Sequence, residues 1–310
     1  MARHPNLYFP DGSLTLKAGD GSETIYNVYR GQLQLGSEFF GAMLTLPHPN
    51  IPPMGSNDNA REWFQKARQL GLDGTSDELA ITFPPQLAAT EIETFLKFVF
   101  LQTWSDNSPS VETARALLKV SHFLAVDTGI AYAKHHLDER HRLPDIQRLN
   151  LGFNYGFADW IKMGFDGLMS VPVNDISEED EAIMGCHAFR ALAKTQLQVT
   201  DTRLNLAVRV PVVNHCNECF VHSYCQAEWA RMWTSMDGVL GALIKEELPG
   251  SLILEKLPTF DCGIMNTECH RRTCDGLKDT LDKVSILKEE EALVDEAIDE
   301  LLRCAGIPSK

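Results

Sequence analysis

The sequence predicts an α+β chain: a small N-terminal β-sheet capped by helices, followed by a mainly α-helical C-terminal domain. Three observations lead there. Leu14, Leu16 and Ala18 alternate with polar neighbours at the period of a strand. The stretch "TEIETFLKFVF" (90–100) places Ile92, Phe95, Leu96 and Val99 at helical spacing. Beyond Arg142 the apolar pattern stays helical to the last turns. A chain of 310 residues can bury two compact units, expected at 1–140 and 141–310.

Taken in order, "SLTLKAGDGSETIYNVYR" reads as a β-hairpin, with "GDGS" turning the chain before Ile25. Ser37 is a candidate N-cap for "EFFGAML", a helix with Phe40, Met43 and Leu44 on one face. Residues 47–77 are rich in Pro, Gly and Ser around one amphipathic piece, "REWFQKARQL", and read as an insertion. "ELAITF" resumes as a strand. The next helix opens on a capping box, Thr90 with Glu93, which would satisfy two orphan amides reciprocally. Phe98 and Phe100 widen its stripe, so it should be buried on most sides. A helix from Ser110 turns Ala114, Leu117, Leu118 and Leu124 inward, and "GIAYAKHHL" follows Asp127 and Thr128.

In the second half, Ile146, Leu149, Phe153, Trp160 and Met163 would share one face of a helix over 144–168. Gly152 and Gly156 would lie inside it at a cost of about 1 kcal/mol each against Ala, which suggests a close neighbouring backbone. Ser177 caps a run whose inward face reads Ile183, Cys186, Phe189, Ala193 and Leu197. The last helix is acidic and amphipathic, with Val284, Leu287, Val294, Ile298 and Leu301 on the side expected to dock.

Composition excludes several classes. The residues are 44% apolar and 23% charged, which is ordinary for a globular protein and argues against global disorder. A formal charge of −15 repels phosphate backbones and anionic leaflets unless the basic residues cluster, and Arg271–Arg272 is the densest pair in the cysteine-bearing half. The N-terminal residues lack an apolar signal core, and no window approaches a membrane span, so a cytosolic or nuclear location with reduced thiols is expected. No nucleophile elbow, metalloprotease helix, phosphate loop or dinucleotide fingerprint is present, which points away from an enzyme. In "HHLDERH", His136 and His141 are five apart, off the i, i+4 geometry of a helical metal pair. His122 and His187 sit among apolar residues and read as core histidines.

Six of the eight cysteines lie between Cys216 and Cys274, and "NHCNECFVHSYCQAEWARMW" (214–233) holds three of them. A redox Cys-x-x-Cys needs cations or a helix N-terminus to stabilise its thiolate; Glu218 between Cys216 and Cys219 disfavours it. Two readings stay open. Cys216 and Cys219 could bind one structural zinc, with further ligands from Cys262, Cys269 and Cys274 and with Cys225, His222 and His270 in reserve. Alternatively the thiols are small buried hydrophobes, Cys225 sharing a core face with Trp229 and Trp233.

The opening "YFPDGSLTLKA…YNVYRGQLQLGSEFFGAML" resembles the BTB/POZ family, with Val28, Arg30, Leu33, Ser37 and Phe40 on its pattern and Tyr29 where that family has His. "DELAITFP" and "TEIETFLKFVF" are similar to its third strand and following helix. The second half, "PDIQRLNLG", Asp159–Trp160 and the Cys216, Cys225, Trp229, Trp233 series, resembles the BTB proteins expanded in mushroom-forming fungi. The resemblance implies a non-enzymatic protein–protein interaction protein that homodimerises or binds unidentified partner proteins, dimers forming through the first strand and first helix, here Leu14, Leu16, Phe39 and Met43. It also implies, as an alternative, a substrate adaptor for a cullin-type ubiquitin ligase. A zinc-stabilised nucleic-acid-binding regulator is the rival from another class, against which the acidic charge counts.

Overall fold

The four-stranded sheet lies at the N-terminus and helices follow it, so the chain is α+β. The structure is a computed structural model that describes residues 2–45, 74–101, 109–245, 248–278 and 288–308. Its residues divide into two units, Met1–Leu143 and Pro144–Lys310. Most of the expected 47–77 insertion, including "REWFQKARQL", falls outside the described residues, as do Val284 and Leu287.

In the first unit the predicted hairpin forms. Strands β2 (Leu14–Lys17) and β3 (Thr24–Val28) pair antiparallel, Leu14 opposite Val28 and Leu16 opposite Tyr26. The alternation does not leave a wet face, however. Leu14, Thr15 and Leu16 are all buried, because the backbone at Gly74 packs over the strand and its carbonyl accepts from the Thr15 amide at 2.8 Å. A strand with no periodic signal, β1 (Ala2–Tyr8), pairs parallel with β3, and β4 (Ile81–Thr82) pairs parallel with β2, giving the order β1-β3-β2-β4. The β1 register shifts between Arg3 and Tyr8, the stretch that holds Pro5. An edge strand tolerates this missing donor. Arg3 and Tyr8 then anchor the edge, donating to the Asp77 carboxylate at 2.8 and 2.9 Å.

Helix α1 (Arg30–Gly36) has no side-chain cap and no sequence signal. Helix α2 (Glu38–Thr45) begins where Ser37 predicts: its Oγ accepts from the Phe40 amide at 3.2 Å and donates to the Leu124 carbonyl at 2.5 Å. The expected capping box of α3 (Ala89–Leu101) is corrected. Glu91, not Glu93, reaches back to the Ala88 amide (2.9 Å), and Asp20 from the hairpin turn accepts from Ala89 at 2.6 Å. Glu93 instead pairs with Lys97. The Asp20 part of the cap comes from a residue distant in sequence, so local spacing could not show it, whereas Ala88 and Glu91 are only three apart. Ile92, Phe95 and Leu96 are buried as expected, while Phe98 and Phe100 are only partly covered. Helices α4 (Val111–Phe123) and α5 (Asp127–His135) follow, with Ser110 accepting from Thr113 and Ala114, Leu117, Leu118 and Leu124 buried. His122 and His187 are exposed rather than core, since each faces away from its helix's apolar side.

In the second unit two long helices expected from the pattern are each broken at a glycine. Helices α6 (Asp145–Tyr155) and α7 (Ala158–Leu168) are separated by Gly156, whose φ of 71° ends α6 in the left-handed conformation. The chain reverses there, which leaves Met163 exposed and Trp160, Ile161 and Phe165 buried. Gly152 has the close neighbour its cost suggested: a Cβ there would meet the Ile161 amide nitrogen at 2.9 Å. Likewise Gly185 (φ 84°) separates α8 (Glu178–Met184) from α9 (Cys186–Val208) and changes the phase. Met184, Ala188, Leu192 and Val199 face inward, whereas Ile183, Cys186 and Leu197 face solvent.

Among the described residues, α10 (His222–Trp233), α11 (Val239–Ile244), α12 (Gly250–Lys256) and α13 (Thr267–Lys278) precede the acidic α14 (Glu289–Cys304). Two apolar clusters result. One joins Leu149, Ile161, Phe165 and Leu192 to Ala297, Ile298 and Leu301 of α14, which docks as its stripe predicts. The other gathers Leu206, Trp229, Trp233, Leu243, Ile253 and Cys269. Helix α9 contributes to both, Leu192 to the first and Leu206 to the second. The Arg203–Glu290 pair, with bonds of 3.0 and 2.5 Å, ties α9 to α14. No helix among the described residues is long and apolar enough to cross a membrane.

Phe95 is fully buried in α3. Phe95→Ala is expected to destabilise the protein by about 3–5 kcal/mol in denaturant unfolding, through lost transfer energy and packing. A loss under about 1 kcal/mol would mean that this side chain does not fill the first unit's core.

Candidate metal centre

Residues 209–221 form no helix or strand, yet Val213 and Cys216 lie in the core. Buried backbone amides need acceptors, and here side chains from two helices supply them. Val213 donates to Gln226 Oε1 of α10 at 3.1 Å, and Asn214 donates to Thr273 Oγ1 of α13 at 3.0 Å. The Cys216 amide donates to Cys269 Sγ of α13 at 3.2 Å. Helix α10 places Cys225, Trp229 and Trp233 on one buried face at intervals of four, and α13 does the same with Cys269 and Thr273.

This loop and these two helices bring four donor atoms together. His215, Cys219, Cys225 and Cys269 each offer one ligand atom, all within 4.8 Å of one another. Cys219 Sγ lies 3.6 Å from Cys225 Sγ and 3.7 Å from His215 Nδ1. A tetrahedral zinc site with bonds of about 2.3 Å to sulfur has edges of roughly 3.7 Å, so little movement would close the set on an ion. Backbone N–H groups also point at the sulfurs: Asn266 donates to Cys225 Sγ at 3.5 Å, as Cys216 does to Cys269. Such donors suit a thiolate better than a thiol. Without a cation, burial, then hydrogen bonding with Cys225 and Cys269, pushes the Cys219 thiol up to about 11. The group is therefore compatible with a structural metal, whose charge would offset the mutual repulsion of the thiolates.

The structure sorts the six cysteines named from sequence. Cys219, Cys225 and Cys269 belong to the group of four. Cys216 is outside it, its thiol donating to Asn266 Oδ1 at 3.6 Å. Cys262 and Cys274 are buried elsewhere in the same cluster, each pushed up to about 11 chiefly by burial, and the charge of Cys274 adds to the shift of Cys262. The fourth donor is His215, which the sequence reading passed over for His222 and His270. His222 stacks on the His215 ring with centroids 4.2 Å apart, and His270 packs against Trp229. The spacing His215-x3-Cys219 was the available signal. Cys225 satisfies both open readings at once, sharing the tryptophans' core face while its sulfur joins the donors.

The residues expected at a self-association surface are divided too. Leu14 and Leu16 are buried within their own unit (2% and 0% exposed) and cannot meet a partner, because the Gly74 segment covers β2. Phe39 is 41% exposed and Met43 half-buried. Sequence reasoning missed Leu35 of α1 (92% exposed) and Phe123 of α4 (46% exposed), whose ring lies 6.1 Å from that of Phe39.

No protein-family model, no curated protein and no solved structure matches the chain.

The geometry separates Cys225, a donor, from Cys262, a core thiol. Zinc titration of the chelator-treated full chain is expected to reach one equivalent for wild type and for Cys262→Ser, and to lose the tight site in Cys225→Ser. Equal losses in both variants would show that the four donors were wrongly assigned.

Proposed function

We propose that this chain is a non-enzymatic protein–protein interaction protein, in which a BTB/POZ-like first unit self-associates and the helical second unit is stapled by one structural zinc. The observation that supports the interaction role is the aromatic surface of the first unit. The tilted rings of Phe39 and Phe123 lie 6.1 Å apart with much of each in water, and Leu35 stands out nearby in sequence on α1. Apolar area in water is unfavourable by about 25 cal/mol per Å². A two-fold interface removes it twice over, since the same patch is used by both copies. The zinc part is supported by the four converging donors, a closed set that leaves no open position for substrate. A cullin adaptor is a narrower form of the same reading.

Nucleic-acid binding is disfavoured by the charge of −15 and by what the densest basic pair already does. Arg271 and Arg272 both bond Glu268, at 2.7 and 3.0 Å, and Arg271 also bonds Asp275. These guanidinium groups hold the Glu268 carboxyl down to about 2. They are committed to internal partners rather than held ready for phosphate.

Sedimentation of the full chain at tens of micromolar, where interfaces of standard size are usually occupied, is expected to show a dimer. The double variant Phe39→Glu, Phe123→Glu is expected to sediment as a folded monomer. A monomeric wild type, or a double variant that remains dimeric, would overturn the surface assignment.

A further inference from the structure

We propose that Cys216 and Cys269 form a reversible thiol–disulfide site that controls the metal, an inference that rests on the zinc reading above. Cys216 is a thiol outside the donor set that touches one of its members. It is not among the four donors, yet its sulfur accepts from Cys269 Sγ at 3.5 Å and its amide donates to the same atom at 3.2 Å. A disulfide at about 2.05 Å requires the two sulfurs to close by roughly 1.5 Å. Cys216 lies on the irregular loop and Cys269 on α13, so the loop side can supply that movement.

The chemistry needs a hydroperoxide as oxidant. The Cys269 thiolate attacks one peroxide oxygen; the O–O bond breaks and Cys269 becomes a sulfenic acid while hydroxide leaves. The Cys216 sulfur then attacks the Cys269 sulfur, the S–S bond forms, and the second oxygen departs as hydroxide. The proton given up by Cys216 turns one hydroxide into water and a proton from solvent the other, so hydrogen peroxide leaves as two waters and two electrons have left the sulfurs. The metal set is then reduced to His215, Cys219 and Cys225, one short of a closed tetrahedron. The new bond joins residues 53 apart in sequence and spans the same loop and helix that the metal joined. The oxidised protein would therefore keep its loop on α13 while the ion is free to go.

The choice of Cys216 is specific. Cys219 and Cys225 are also close, at 3.6 Å, but both are donors, and joining them would spend two ligands at once. The test uses the full chain loaded with one equivalent of zinc. Hydrogen peroxide is added, zinc release is followed with a chromogenic chelator, and the disulfide is mapped by mass spectrometry. Wild type is expected to release zinc with a Cys216–Cys269 bond, and dithiothreitol with zinc is expected to restore the starting state. Cys216→Ser and Cys216→Ala should each hold one equivalent at rest and release it about tenfold more slowly, having lost the resolving thiol. A wild type that binds no zinc overturns the zinc reading and the control together. A zinc-loaded wild type whose oxidised bond joins Cys219 to Cys225, or which matches the variants in rate, overturns the control alone. Loss of resting zinc from both Cys216 variants would make Cys216 a ligand and likewise overturn it.

Discussion

Residues 209–221 are an irregular segment that sends Val213 and Cys216 into a hydrophobic core, and the cluster around these two residues depends on how the segment's inward-facing polar groups are satisfied. An unpaired buried amide costs about 1–3 kcal/mol, so several in one loop would expel it into water. Gln226, Thr273 and Cys269 prevent this by accepting from Val213, Asn214 and Cys216. Two of these acceptors sit on α13 and one on α10, so the loop can be buried only while both helices are in place. The same contacts hold His215 and Cys219 against Cys225 and Cys269. Burial of the loop and assembly of the donor set are one event. The tryptophan core is part of it, since Trp233 Nε1 donates to the Leu206 carbonyl at 2.9 Å near the end of α9.

Helix α9 carries this local order across the unit. It lends Ala188 and Leu192 to the cluster that α14 covers, and Leu206 and Ala207 to the cluster beside the donors. A continuous helix is stiff, so its two ends cannot be repacked independently. The Arg203–Glu290 pair lies between those ends and is only partly exposed, which makes it less screened than a surface pair. The glycines set the geometry at the other end. Gly156 reverses the chain, and Gly152 lets α7 approach until only a hydrogen fits.

Much of this was legible in the sequence wherever the cause was local. The hairpin, the Ser37 and Ser177 caps, the inward face of α4 and the docking of α14 follow from spacing and cap chemistry. What was not legible depends on residues far apart in the chain. One of the two capping acceptors of α3 is Asp20, from the hairpin turn. The strand β1 is made by pairing with β3 and anchoring on Asp77, not by periodicity. The broken helices at Gly156 and Gly185 show a different limit. A glycine read as a cost inside a helix was a stop, and the phase beyond Gly185 shifted with it. At the donor group, cysteine spacing located the cluster but not its members. Three of the six named thiols take part, and a histidine four residues before Cys219 completes them.

The proposed protein–protein interaction role, with a structural zinc held in the helical unit, rests on the surface of the first unit and the donor set of the second. Its central claim is the ligand set. X-ray absorption at the zinc edge, on full-length protein purified without chelator, tests it most directly. Three sulfurs at about 2.3 Å and one nitrogen at about 2.0–2.1 Å are expected. A shell of four sulfurs would replace His215 by Cys216, and protein free of zinc would leave the six clustered cysteines as ordinary core.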